Sequence, residues 1–210
     1  EILPQRQLGT YSGNVSFKVC LEPSCEHEIG NSSSTLSIEL DVNELAGWTT
    51  HQRNATHNGY IPLTLDVSNF AEAWTWGARP NGINPVVAKD GRVIVTDDVY
   101  QGDASVFMLD EATGDEIWRT DLEDVPALNP PAITDGKVWA ATTGSSDTFL
   151  HAFDFETGHK LHSSEFNGQW PHYYAPTPYG DSIYQGGGYY GGYVHSFSAL
   201  DGEEEWEIGL

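Results

Sequence analysis

The sequence predicts an all-β chain built from repeated four-stranded units, and three observations carry that reading. One aromatic position recurs at a fixed step. Trp74, Trp118, His162 and Trp206 fall 44 residues apart, and Gly114, Gly158 and Gly202 keep the same step, each four residues ahead of its ring. Within each step come several short apolar runs, divided by turn pairs such as Asp90-Gly91, Asp135-Gly136 and Gly180-Asp181. The composition agrees, because 22 glycines, 11 prolines and 12% aromatic residues suit many short strands joined by tight turns. A period of about 40 to 50 residues marks a stacked repeat. Alternation and turn density exclude pairs of helices. Four short strands per unit make a propeller blade. The expected fold is therefore a partial β-propeller of about three four-stranded blades, with a β-hairpin before it.

Taken in order, residues 1–45 lack the repeat. Val15, Phe17 and Val19 alternate, as do Leu36, Ile38, Leu40 and Val42, which predicts two strands joined through a loop holding Cys20 and Cys25. Two strands do not make a stable sheet alone, so this part is expected to be the last hairpin of a small β-sandwich-like domain. Asn43 to Gly47 reads as a linker, and residues 46–210 as the blades. Phe70 to Trp76 reads as a short strand carrying the first repeat ring. The first full unit follows, with strands at Val86–Ala88, Arg92–Thr96, Ser105–Leu109 and Asp115–Thr120. The second and third units repeat it, and Val93, Val138 and Ile183 keep a step of 45. Each blade buries one face on each neighbour, so the recurring ring is expected to fill the joint between blades. Three blades cannot close a ring. The chain is therefore expected to be a piece of a longer protein, or a protomer that associates.

The turn before each ring carries a resemblance. Met108-Leu-Asp110-Glu-Ala-Thr113-Gly114-Asp-Glu-Ile-Trp118 resembles the repeat of pyrroloquinoline-quinone-type β-propellers, whose pattern is Ala-x-Asp-x-x-Thr-Gly-x-x-x-Trp. Ala152 to His162 matches with His in place of Trp, and Ser196 to Trp206 matches with Ser at two positions. The resemblance covers about residues 48–210 and implies the propeller fold. The family includes quinone-dependent alcohol and sugar dehydrogenases and also outer-membrane assembly lipoproteins like BamB, which bind no quinone. In its dehydrogenases, a Trp floor, a disulfide ring of adjacent cysteines and a calcium held by Glu, Asn and Asp keep the cofactor. This sequence has no adjacent cysteines, and no such carboxylate set maps onto it. The resemblance thus implies pyrroloquinoline quinone and calcium only within a longer protein.

Charge and cysteines bound the partners. The net charge of −22 repels nucleic acid and anionic lipid, and no apolar run is long enough to span a bilayer as a helix. Cys20-Leu-Glu-Pro-Ser-Cys25 favours a disulfide and an oxidising compartment. A zinc site there would need further ligands, and His27 alone is near. A periplasmic or extracellular location follows as an expectation.

Few residues suggest chemistry. Trp170, His172, Tyr173 and Tyr174, with Tyr189 and Tyr190, form the densest aromatic cluster, suited to a sugar ring, a quinone or a protein surface. Packing between blades is the competing use. Asp97, Asp98 and Asp103 crowd one predicted loop and offer a weak set of oxygen ligands for calcium; a solvated acidic loop is the favoured explanation. Gly186-Gly-Gly188-Tyr-Tyr-Gly191 has dinucleotide-loop spacing, but a strand follows where that motif needs a helix. No nucleophile elbow or paired acid and base is recognisable from spacing. The expected function is a binding or scaffold module for a protein or glycan, without catalysis of its own. The alternatives are a piece of a quinone-dependent dehydrogenase and a surface protein that self-associates through blade edges.

Overall fold

The computed structural model describes residues 9–30, 32–42, 47–61, 67–77, 82–170, 174–187 and 192–209. The chain divides into two units: Glu1–Ala46 with Ile61–Ser68, and Gly47–Tyr60 with Asn69–Leu210. The first unit holds an antiparallel hairpin of β1 (Gly9–Phe17) and β2 (Ser34–Val42), registered from Gly9 opposite Val42 to Phe17 opposite Ser34. Cys20 and Cys25 are disulfide-bonded with Cα atoms 5.1 Å apart. The loop is pinned further by the Glu22 carboxylate, which accepts the His27 backbone N–H at 2.6 Å. The expected linker at 43–46 lies outside the described residues.

The second unit is the partial propeller. Its three sheets are each four-stranded, antiparallel and ordered as in the sequence. The first blade has β3 (Val87–Lys89), β4 (Arg92–Thr96), β5 (Tyr100–Asp110) and β6 (Glu116–Ala127). The second has β7 (Ala132–Thr134), β8 (Lys137–Thr142), β9 (Phe149–Asp154) and β10 (Lys160–Glu165). The third has β11 (Thr177–Tyr179), β12 (Ser182–Gly186), β13 (Tyr193–Ser198) and β14 (Glu204–Gly209).

Strand alternation sends successive residues to opposite joints. On β8, Val138 and Ala140 join the cluster shared with the first blade, while Trp139 and Ala141 join the cluster shared with the third. On the far side of the first blade, Val95, Phe107 and Leu109 are covered by Trp74 and Trp76. Two strand expectations change here. Residues 70–77 form no strand; Trp74 is held by its side chain instead of by a ladder. β5 and β6 run longer than the alternation suggests, pairing Tyr100 with Ala127 and Gly102 with Val125 through a bulge. Their added stretch holds Gly102 and the acidic residues Asp103, Asp121, Glu123 and Asp124, so it carries no apolar period. Asp103, expected in a loop, therefore lies in β5.

The joint itself repeats. Each turn begins with Asp110, Asp154 or Ser198, whose carbonyl accepts the N–H of Gly114, Gly158 or Gly202 at 2.8 to 2.9 Å. Those glycines take φ of 75°, 71° and 75°, a region that suits glycine. Asp110 and Asp154 also take two backbone N–H groups on one carboxylate oxygen. These bonds hold both carboxyls below the usual carboxylate range. At Asp110 the bond from the Thr113 backbone contributes most, and at Asp154 the bond from the Thr157 side chain does. A bulge then skips Ile117, Leu161 or Glu205, directly before the ring in each blade. Each ring meets the glycine of the blade that follows it. A Cβ on Gly114 would lie 2.6 Å from the Trp74 ring, and one on Gly158 would lie 2.5 Å from the Trp118 ring. The indole N–H groups of Trp74 and Trp118 donate to the carbonyls of Glu111 and Phe155, both at 2.9 Å.

Candidate functional site

A brace in this unit builds one wall of a cleft. The segment after Gly47 crosses the first strands of all three blades. Trp48 exchanges two backbone hydrogen bonds with Ala88, and the Thr49 carbonyl accepts the Ile133 N–H at 2.8 Å. Buried Thr50 donates its hydroxyl to the Pro176 carbonyl at 2.6 Å. Successive residues thus tie β3, β7 and the approach to β11. The chain then turns through Gln52 and Arg53, both at positive φ, and lays His51 and His57 beside the third blade.

There His51, His57, Tyr174, Thr177, Tyr184 and Gln185 line an open cleft of about 310 Å³. His57 has no free ring nitrogen. Nδ1 lies 2.8 Å from the His51 carbonyl, which requires Nδ1–H, and Nε2 lies 3.1 Å from the Thr177 hydroxyl. Tyr174 is about half exposed, and Tyr184 sits 5.9 Å from the Trp206 ring. Gln185 is 1% exposed. Its amide N–H₂ donates to the carbonyls of Gly186 and Tyr174 at 3.2 and 3.4 Å. Its Oε1 has no partner among the described residues. A buried acceptor without a donor is costly, on the order of 1–3 kcal/mol.

Tyr174 lies on the cleft. Trp170 turns away to stack near Tyr100, with ring centroids 5.5 Å apart. His172, Tyr173, Tyr189 and Tyr190 lie outside the described residues. Asp97 Oδ2 accepts the Ser105 N–H at 3.0 Å, and Asp103 Oδ1 accepts the Asp124 N–H at 3.1 Å; both carboxylates are thereby engaged within the first blade. His51, His57 and Gln185 were not singled out by sequence. They come from two separate segments with no shared motif, and only the brace brings them together.

Residues 57–210 match the family described as outer membrane protein assembly factor BamB. The chain belongs to that family. No curated protein matches it. Among solved structures it is similar to the quinohemoprotein alcohol dehydrogenase ADHIIG from Pseudomonas putida HK5, at 22% identity over 78% of this chain and 26% of that one, with a TM-score of 0.61. It is also similar to the quinohemoprotein alcohol dehydrogenase of Comamonas testosteroni, at 24% identity over 78% of this chain and 27% of that one, TM-score 0.61. BamB from Moraxella catarrhalis matches at 24% identity over 65% of this chain and 38% of that one, TM-score 0.44. The chain spans about a quarter of the length of the two dehydrogenases. The likeness to the two dehydrogenases is one of fold alone.

The described residues do not fit the quinone and calcium set that the resemblance implies. The cysteines are bonded to each other across a loop and belong to the hairpin unit. Among the described residues, the group whose ligand atoms converge is His195, Glu204 and Glu207, which contains none of the three acidic residues considered for calcium. No helix among the described residues is long and apolar enough to cross a membrane.

Proposed function

We propose that this chain is a binding and scaffold module of an exported propeller protein, working in the periplasm or at the cell surface without catalysis of its own. The observation that carries this reading is the cleft beside the third blade. It combines tyrosine faces, which suit a ligand with an apolar side, with polar lining from His51 and Thr177, which suits a ligand with hydrogen-bonding groups. An extended protein segment offers both. A glycan offers hydroxyl donors and an apolar ring face, and is the competing occupant. Membership of an outer-membrane-protein assembly family favours the protein.

A photo-crosslinking residue placed at Tyr174 in the host cell tests this, with Ile117 on the first blade as the control. The reading predicts a discrete protease-sensitive adduct at Tyr174, lost with Tyr184→Ala, and none at Ile117. Equal adducts at both positions, or none at Tyr174, would contradict it. A protease-resistant adduct that a glycosidase removes would assign the cleft to glycan. Dye reduction by the purified chain with added pyrroloquinoline quinone, calcium and alcohols would support the dehydrogenase alternative.

A specific observation favours self-association as a second reading. Trp206 occupies the joint-ring position, yet it is 41% exposed, and Ile208 beside it is 55% exposed. Unpaired strand edges with apolar side chains invite a further strand. A concentration-dependent shift in size exclusion, abolished by Ile208→Lys, is the expected result.

A further inference from the structure

One slot in the blade sheet is filled three ways. Phe107, His151 and His195 are 44 residues apart on the third strand of each blade. Their cross-strand partners are Arg119, Ser163 and Glu207. In the first blade the Arg119 guanidinium lies over the Phe107 ring at 5.4 Å. In the second, His151 bonds two hydroxyls, Ser163 Oγ at 2.9 Å and Thr142 Oγ1 at 3.0 Å. A hydroxyl donates or accepts as needed, so a neutral ring is satisfied there.

The third blade differs. His195 is fully buried, and both its ring nitrogens face groups that only accept. Nε2 lies 2.7 Å from the Asn167 carbonyl, which fixes the proton on Nε2 in a neutral ring. Nδ1 then points its lone pair at Glu204 Oε1, 2.6 Å away, with Glu207 Oε2 at 3.8 Å. A lone pair against two carboxylates needs a cation between them. Asn167 also donates its side-chain N–H₂ to Glu207. One residue thus orients two of the three groups, the outer-shell arrangement typical of a metal-binding histidine. The ligand atoms all lie within 4.8 Å of one another. Both carboxylates are about one-third exposed, so an ion has a path in.

We propose that His195 Nδ1, Glu204 and Glu207 bind one divalent transition-metal ion of the zinc class, with water completing the shell. Imidazole nitrogen with two carboxylates is a donor set such ions accept at about 2.0–2.2 Å. Withdrawal of the Glu204 carboxylate by under about 1 Å makes the room. The ion would clasp β13 and β14 to the loop at Asn167.

The test is zinc titration of the EDTA-dialysed 210-residue chain by calorimetry, repeated with Glu204→Gln and Glu207→Gln. Both carboxylates are partly exposed, so both variants should fold, as thermal unfolding in EDTA would verify. The expected result is one zinc per chain, with affinity reduced about tenfold or more in each variant. Cobalt(II) should show visible ligand-field absorption that both variants alter. Absence of zinc uptake would overturn the proposal and leave a proton as the bridging cation. Uptake unchanged in both variants would overturn it equally, placing the ion elsewhere on this acidic surface. Should either variant fail to fold, nitrogen-15 shifts of His195 decide. A zinc-dependent shift confined to Nδ1 supports the site, and a ring protonated on both nitrogens and indifferent to zinc contradicts it.

Discussion

The indole of Trp118 closes over Gly158 of the next blade and donates its Nε1–H to the Phe155 carbonyl at 2.9 Å. Thr120, two residues on, donates its hydroxyl to the Gly158 carbonyl at 2.6 Å. Ring, glycine and two carbonyls form one joint. Trp74 repeats the indole bond toward the first blade, through Glu111. The joint explains why the repeat conserves its step without any chemistry: the ring needs a glycine and a free carbonyl at a fixed distance along the next turn.

The joint at His162 shows what happens without an indole. A Cβ on Gly202 would sit 3.1 Å from His162, a looser fit than at the two tryptophans. The carbonyl equivalent to that of Phe155 belongs to Ala199, and Lys137 Nζ reaches it at 3.0 Å. The ammonium thus takes over the role of the missing indole N–H. Lys137→Met should destabilise the chain by about 1–2 kcal/mol through the orphaned carbonyl, measured by urea unfolding. In a His162→Trp background the same change should cost less, because the new indole supplies a donor.

His151 links stability to acid. Burial is the main cause that pushes its pKa down to about 4, with the Lys160 charge adding to it. Between about pH 6.5 and 4 the unfolded chain therefore binds a proton that the folded one refuses, so stability rises with pH across that window. The loss on acidification is about 3 kcal/mol for this group. His151→Phe, which copies Phe107 of the first blade, should flatten the slope of unfolding free energy between pH 6.5 and 4. An unchanged slope would place the titration elsewhere.

The brace rests on one buried hydroxyl. Thr50→Val keeps the shape of the side chain and removes the bond to the Pro176 carbonyl. A loss of about 1–3 kcal/mol is expected. Amide exchange should accelerate around Thr177 and Gln185, where the brace meets the cleft, more than in β4 and β5.

Much of the blade order is written locally. Asp110, Thr113 and Gly114 each have a short-range duty within the turn, so their spacing exposes the hairpin, and the 44-residue step exposes the stacking. The disulfide at Cys20–Cys25 was legible for the same reason. The brace was not, because Trp48, Thr49 and Thr50 bond through backbone or a hydroxyl to strands 40, 84 and 126 residues away, and no side-chain pattern encodes such partners. The cleft shares that cause. Gln185 reads as an ordinary strand residue until His51 and His57 are laid beside it. Trp170 shows the same limit: its proximity in sequence to Tyr174 says nothing about Tyr100, whose ring lies 5.5 Å from its own.

The central claim is that ring-on-glycine joints hold the blades together, and paired glycine substitutions test it most directly. Gly158 and Gly136 have nearly equal φ, 71° and 70°, so alanine strains both backbones alike. A Cβ at Gly158 strikes the Trp118 ring at 2.5 Å, whereas at Gly136 it meets nothing within 4 Å. Urea unfolding should show Gly136→Ala costing about 1 kcal/mol and Gly158→Ala about 1–3 kcal/mol more. Equal losses for the two variants would contradict the claim.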